Sequence, residues 1–114
     1  MMKEFMLLFR QPSYDYSTIS PKDMEAIAGK WQSWIKNITD QGNFSAHGQR
    51  LATEGKVLRP GGVVTDGPFV EIREQLGGFI LVKANNIEEA TTLAHGCPAL
   101  NNNGSVEIRP VRQH

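Results

Sequence analysis

The chain is poor in most features that assign a protein quickly. It has one cysteine, Cys97, in 114 residues, so no intrachain disulfide can form and nothing marks an oxidising compartment. No run of Lys or Arg occurs, and 12 basic residues balance 12 acidic ones. No nucleic-acid partner is expected, because phosphate recognition needs a basic stripe. Long apolar runs are also missing. The N-terminal one, Phe5 to Phe9, is five residues, too short for the apolar part of a signal peptide or for a bilayer span. No membrane association and a cytoplasmic location are therefore expected.

What remains is an ordinary globular composition, 39% hydrophobic and 21% charged, read as one domain over residues 1–114. A domain of this size hides roughly two thirds of its unfolded surface. Its core is thin, and the neutral net charge offers little repulsion between copies.

The segment KEFMLLFR (3–10) reads as a strand apolar on both faces, with Phe5, Leu7 and Phe9 on one side and Met6 and Leu8 on the other. Ser20-Pro21-Lys22-Asp23 is a helix start, with Ser20 as N-cap, Pro21 in the first helical position and Asp23 in the capping-box place. The helix carries Met24, Ile27, Ala28, Trp31, Trp34, Ile35 and Ile38 as one stripe and stops at Gly42. Residues 44–52, 56–59 and 62–65 read as short strands, and GGFILVKA (77–84) as a second fully apolar one. Asn86 caps a shorter helix whose inner face is Ile87, Ala90, Leu93 and Ala94, ended by Gly96 and Pro98. GSVEIRPV (104–111) alternates as an edge strand, since Pro110 cannot donate to a ladder.

This order predicts an α+β domain of the ferredoxin-like βαββαβ kind, an antiparallel sheet with two helices on one face. Two helices cover one face only, yet two strands are apolar on both. A homodimer packed through the open sheet face is the expected remedy.

The stretch VTDGPFVEIREQLGGFILV, with CPALNNNGSVEIRPV and the early MLLF strand, resembles the DGPF family of YCII-related proteins. The shared features are Asp66-Gly67-Pro68-Phe69, the Glu71, Glu74, Gln75, Gly77 and Gly78 that follow, Cys97-Pro98, and the last strand Val106 to Val111. The resemblance implies a ferredoxin-like domain that dimerises through its sheet into a dimeric α+β barrel. It also implies, for the wider family, a His and Asp pair in acid and base roles, one relative being associated with dehydrochlorination of a hydroxylated aromatic ring. That His should follow the first strand, where this chain has Arg10, Gln11 and Pro12. The pair is therefore not carried over. Proteins of this kind also resemble companions of extracytoplasmic-function sigma factors, an association without a mechanism.

Among titratable residues His47, between the small Ala46 and Gly48, is the first candidate, because histidine ordinarily titrates near neutrality; a hydrogen-bonded structural role is its alternative. Asp66 reads either as the cap of its own turn or as a base on the rim of a barrel cavity. Residues 69–76 then form a flap, with Glu71, Arg73 and Glu74 facing a ligand or paired in solvent, and Tyr14 at the pocket mouth or packed in its loop. Trp31 and Trp34 are assigned to the core or the dimer rim. His95 suits the end of its helix, and Cys97 reads as packing, being at the wrong helix end for an activated thiol. No phosphate-binding glycine pattern and no zinc spacing is present, so no cofactor and no metal are expected. Two functions stay open: a small cofactor-independent lyase or isomerase, with His47 and Asp66 as acid and base and Arg73 neutralising an anionic group, or a non-catalytic ligand-binding or transcription-linked regulatory homodimer.

Overall fold

The computed structural model describes residues 1–10, 19–52, 54–67 and 76–112. In chain order these form β1 (Lys3–Arg10), α1 (Pro21–Asp40), β2 (Phe44–Arg50), β3 (Gly55–Arg59), β4 (Val63–Gly67), β5 (Leu76–Ala84), α2 (Ile87–Ala94), a 3-10 turn (Pro98–Asn102) and β6 (Ser105–Pro110). The main sheet is four-stranded and antiparallel in the order β2-β5-β1-β6. Each helix thus links two strands that have a third between them, as the ferredoxin-like reading requires. The insertion between β2 and β5 forms a sheet of its own, the two-stranded β3–β4 ribbon.

Local chemistry fixes the helix ends. The Ser20 hydroxyl accepts from the Asp23 backbone N–H at 3.1 Å, with Pro21 in the first turn. Gly42 leaves α1 at φ 78°, the left-handed value glycine tolerates best. Asn86 caps α2 in the same way, its Oδ1 accepting from the Glu89 N–H at 2.8 Å.

Register decides which strand face meets the helices. Phe5 stands opposite Val82 and Leu7 opposite Ile80 on one side, while Leu7 stands opposite Ile108 on the other. Phe5, Leu7, Phe9, Ile80, Val82 and Ala84 are buried with Trp34 and Ile38 of α1 and Ala90 and Ala94 of α2. The Trp34 indole N–H donates to the Leu93 carbonyl at 3.0 Å and ties the helices together. Buried Asn43 does the same for the helix end and β5, donating through its amide to the Lys83 carbonyl at 2.7 Å.

The apolar stripes are longer than the surfaces they meet. Met24 and Ala28 of α1 and Ile87 of α2 are exposed, and Ile27 is half-buried. Only the C-terminal half of α1 crosses the core, where Trp34 and Ile38 are buried and Trp31 and Ile35 are half-buried against them. The β2 strand also stops at Arg50, short of residue 52.

On the opposite sheet face Met6, Leu8, Phe79 and Leu81 are half-buried, and neither helix contributes to that side. Charges rim it: Glu107 pairs with Arg10 at 3.1 Å and Arg109 at 3.5 Å. Glu4 accepts from the Ser45 hydroxyl at 2.6 Å. No helix among the described residues is long and apolar enough to cross a membrane.

Candidate functional site

The neighbourhood of His47 is set by irregular pairing. Simple alternation along β2 would place Phe44 and Ala46 on one face and His47 on the other. Instead Phe44 faces Val82, Ala46 faces Leu81 and His47 faces Ile80, with a register shift between Phe44 and Ala46. The extra residue flips His47 to the helix side, where Phe44 already lies. Their rings meet edge to face with centroids 4.7 Å apart.

A second shift follows between His47 and Arg50, where Arg50 faces Gly78. On the other side of β5, β1 also slips, and Arg10 faces Leu76. Glycine permits this crowding: a Cβ at Gly48 would sit 1.9 Å from the Phe79 carbonyl oxygen, and one at Gly78 would sit 2.7 Å from that of Gln49.

Between this disturbed sheet end and α1 lies a cleft of about 290 Å³. Phe9, Trp31, Ile35 and Ile80 give it apolar walls, and Gln32, His47, Gln49 and Arg50 bring polar groups to it. Trp31 packs edge to face on Phe9 at 4.9 Å and on Trp34 at 5.8 Å, so the core itself braces the cleft wall. Apolar walls with a few convergent polar groups are the usual make-up of a small-ligand site.

The sequence candidates separate. His47 is exposed and lines the cleft. Asp66 lies on the ribbon, ion-paired with Lys56, and borders a different hollow with Glu54 and Gly55. Among the described residues the two border different hollows. Tyr14, Glu71, Arg73 and Glu74, and with them the Pro68-Phe69 part of the signature, lie outside the described residues. His95 is the C-cap of α2, its backbone N–H donating to the Thr92 carbonyl. Cys97 is buried in the core, and loss of solvent pushes its thiol up to about 12, far from a reactive thiolate. Among the described residues no cluster of His, Cys, Asp or Glu is suited to hold a metal.

Sequence reading missed the part played by Trp31, Ile35 and Gln32. The signal was present in the small residues: Ala28, Gly48 and Gly78 all border the cleft, and the two glycines stand where β2 and β5 come too close for a Cβ.

A family model described as YCII-related domain matches residues 14–114. An uncharacterized protein of Rhizobium meliloti (strain 1021) is 42% identical over 50 residues, which are 43% of this chain and 40% of that protein. The chain thus spans less than half the length of this relative.

Proposed function

The chain belongs to the YCII-related domain family, and from that premise we propose that it binds a compact, partly apolar small molecule in the His47 cleft and moves a proton on it without a cofactor. A lyase or isomerase reaction fits, with His47 as the acid–base group. The observation that carries this reading is the turn of His47 onto the helix side by the β2 register shift, beside Trp31 and Ile35 in the same cleft. Irregular strands of this kind often re-aim a side chain beside a site. Histidine suits proton transfer because both of its forms are populated near neutrality.

A second reading keeps the cleft and drops the chemistry. Among the described residues no carboxylate lines the cleft, and a general base usually has a partner that orients it. A non-catalytic ligand-binding or regulatory protein fits that observation. In either reading we propose a homodimer through the open face, which hides Met6, Leu8, Phe79 and Leu81 from water. Cytoplasmic residence is part of the proposal. Asp66 joins the chemistry only if assembly or the 68–75 segment brings it to the cleft.

His47→Gln separates the two readings. Single-ring acids such as benzoate and its hydroxylated forms serve as binding probes, followed by the indole signal of Trp31, and turnover is screened on substrates with an acidic C–H. The enzyme reading expects binding to persist while turnover falls by about a hundredfold or more. Unchanged turnover would remove His47 from the chemistry, and binding unaffected by any cleft substitution would remove the site.

A further inference from the structure

Strand pairing lays two rows of residues across the helix side of the sheet at the cleft. In one row Leu7 of β1, Ile80 of β5 and His47 of β2 stand abreast, and in the next Phe9, Gly78 and Arg50 do. Residues directly opposite each other share a face, so Arg50 stands on the same side as Phe9 and His47. Simple alternation from His47 would send it to the other side. The second register shift of β2, between His47 and Arg50, turns it round, since Gly48 and Gln49 on β2 are matched by Phe79 alone on β5.

The residue between Phe9 and Arg50 in that row has no side chain. Its backbone lies close against β2, where a Cβ on Gly78 would stand 3.4 Å from the Arg50 Cα. Phe9, Gly78 and Arg50 all line the cleft, with Trp31 and Ile35 of α1 opposite the sheet.

Charge and volume then select a ligand. Among the described residues that line the cleft, Arg50 is the permanently charged one, Gln32 and Gln49 are neutral, and none is a carboxylate. Apolar walls beside one fixed cation suit an anion with an apolar body. The body leaves water against Trp31, Ile35 and Ile80, and the guanidinium holds the charge. The arginine fork meets a carboxylate through two parallel hydrogen bonds, which a lysine does not supply. Arg50 also has a contact within the chain, and its five N–H donors let it keep that contact and hold a carboxylate together. A cleft of about 290 Å³ stands at the bottom of the ~300–1,000 Å³ range of small-ligand sites. It has room for one ring and its acid group rather than for a nucleotide.

We propose that Arg50 is the anion-recognising residue of the cleft and that the ligand is a monocyclic organic acid, its carboxylate on the Arg50 guanidinium and its ring against Trp31 and Ile35. This assignment rests on the His47 cleft being the ligand site and adds the chemical class of what enters it. His47, one row along, then faces the ring and its substituents rather than the acid group.

The test compares benzoate with benzamide, an uncharged probe of nearly the same shape. It uses the full chain at about pH 8, where a histidine is ordinarily neutral and adds no cation of its own. Nuclear magnetic resonance follows the Trp31 indole and the Arg50 guanidinium carbon. Benzoate should bind at least about tenfold more tightly than benzamide and move both signals, while benzamide moves the Trp31 signal alone. Arg50→Gln, with folding checked by circular dichroism, should bring benzoate down to the benzamide level and leave benzamide binding unchanged. Arg50→Lys should keep part of the preference. Equal or weaker binding of benzoate by the native chain would overturn the anion site and leave the cleft standing. A preference that survives Arg50→Gln would overturn the role of Arg50. Should neither probe move Trp31, the cleft falls as a ligand site and this proposal with it. Where Arg50→Gln does not fold, the native chain decides: benzoate should shift the Arg50 and Trp31 signals along one saturation curve, and an Arg50 signal that stays still would overturn the proposal.

Discussion

Gly48 lies so close to Phe79 that an added Cβ would stand 1.9 Å from the Phe79 carbonyl oxygen and 2.5 Å from its ring. Backbone, which cannot swing aside, forms that wall. Gly48→Ala must therefore spread β2 from β5 at the cleft end. A loss of about 2 kcal/mol or more is expected, seen as a fall in melting temperature of about 8 °C or more.

Gly29 gives the opposite case. It lies inside α1, and a Cβ there meets nothing within 4 Å. Gly29→Ala should stabilise by about 0.5–1 kcal/mol, because alanine loses less backbone freedom on entering a helix. Urea unfolding checks the sign, and a destabilised variant would contradict the helix as described.

Asn43 is a buried polar residue at the edge of the core. Its amide donates to the Lys83 carbonyl at 2.7 Å and to the Glu89 carboxylate at 3.3 Å. Asn43→Ala leaves both acceptors short of a donor and should cost about 1–3 kcal/mol in urea unfolding. A neutral effect would mean that water replaces the amide at little loss.

Cys97 predicts a pH effect. Its thiol ordinarily titrates near 9.0 and is pushed up to about 12 by burial. As pH rises through that window the unfolded chain releases the proton first, so stability falls between about 9 and about 12. Cys97→Ala should lose that component, and the native thiol should react with iodoacetamide only as fast as the protein opens. Rapid labelling of the folded protein would contradict the buried position.

Much of this architecture is legible in the sequence because its causes are local. Ser20 before Pro21, Asn86 before Glu89, and Phe5, Leu7 and Phe9 in alternation each depend on a few neighbouring residues. Met24 and Ile87 lie outside the core despite their apolar spacing, because spacing shows which way a side chain points, not whether anything lies there. The cleft is harder still. His47 reaches it through a register shift, and a shift depends on the partner strand, so no periodicity along residues 44–50 reveals it. The close approach at Gly48 likewise needs β5 to be in place.

The central claim is that His47 and Trp31 border one ligand site. Nuclear magnetic resonance follows the His47 ring and the two tryptophan indoles while benzoate and its hydroxylated forms are titrated in. The account expects the His47 and Trp31 signals to move together along one saturation curve, while the Trp34 indole, tied to the Leu93 carbonyl, stays nearly fixed. Probes that bind yet leave His47 and Trp31 unmoved, or shift them along unrelated curves, would contradict it.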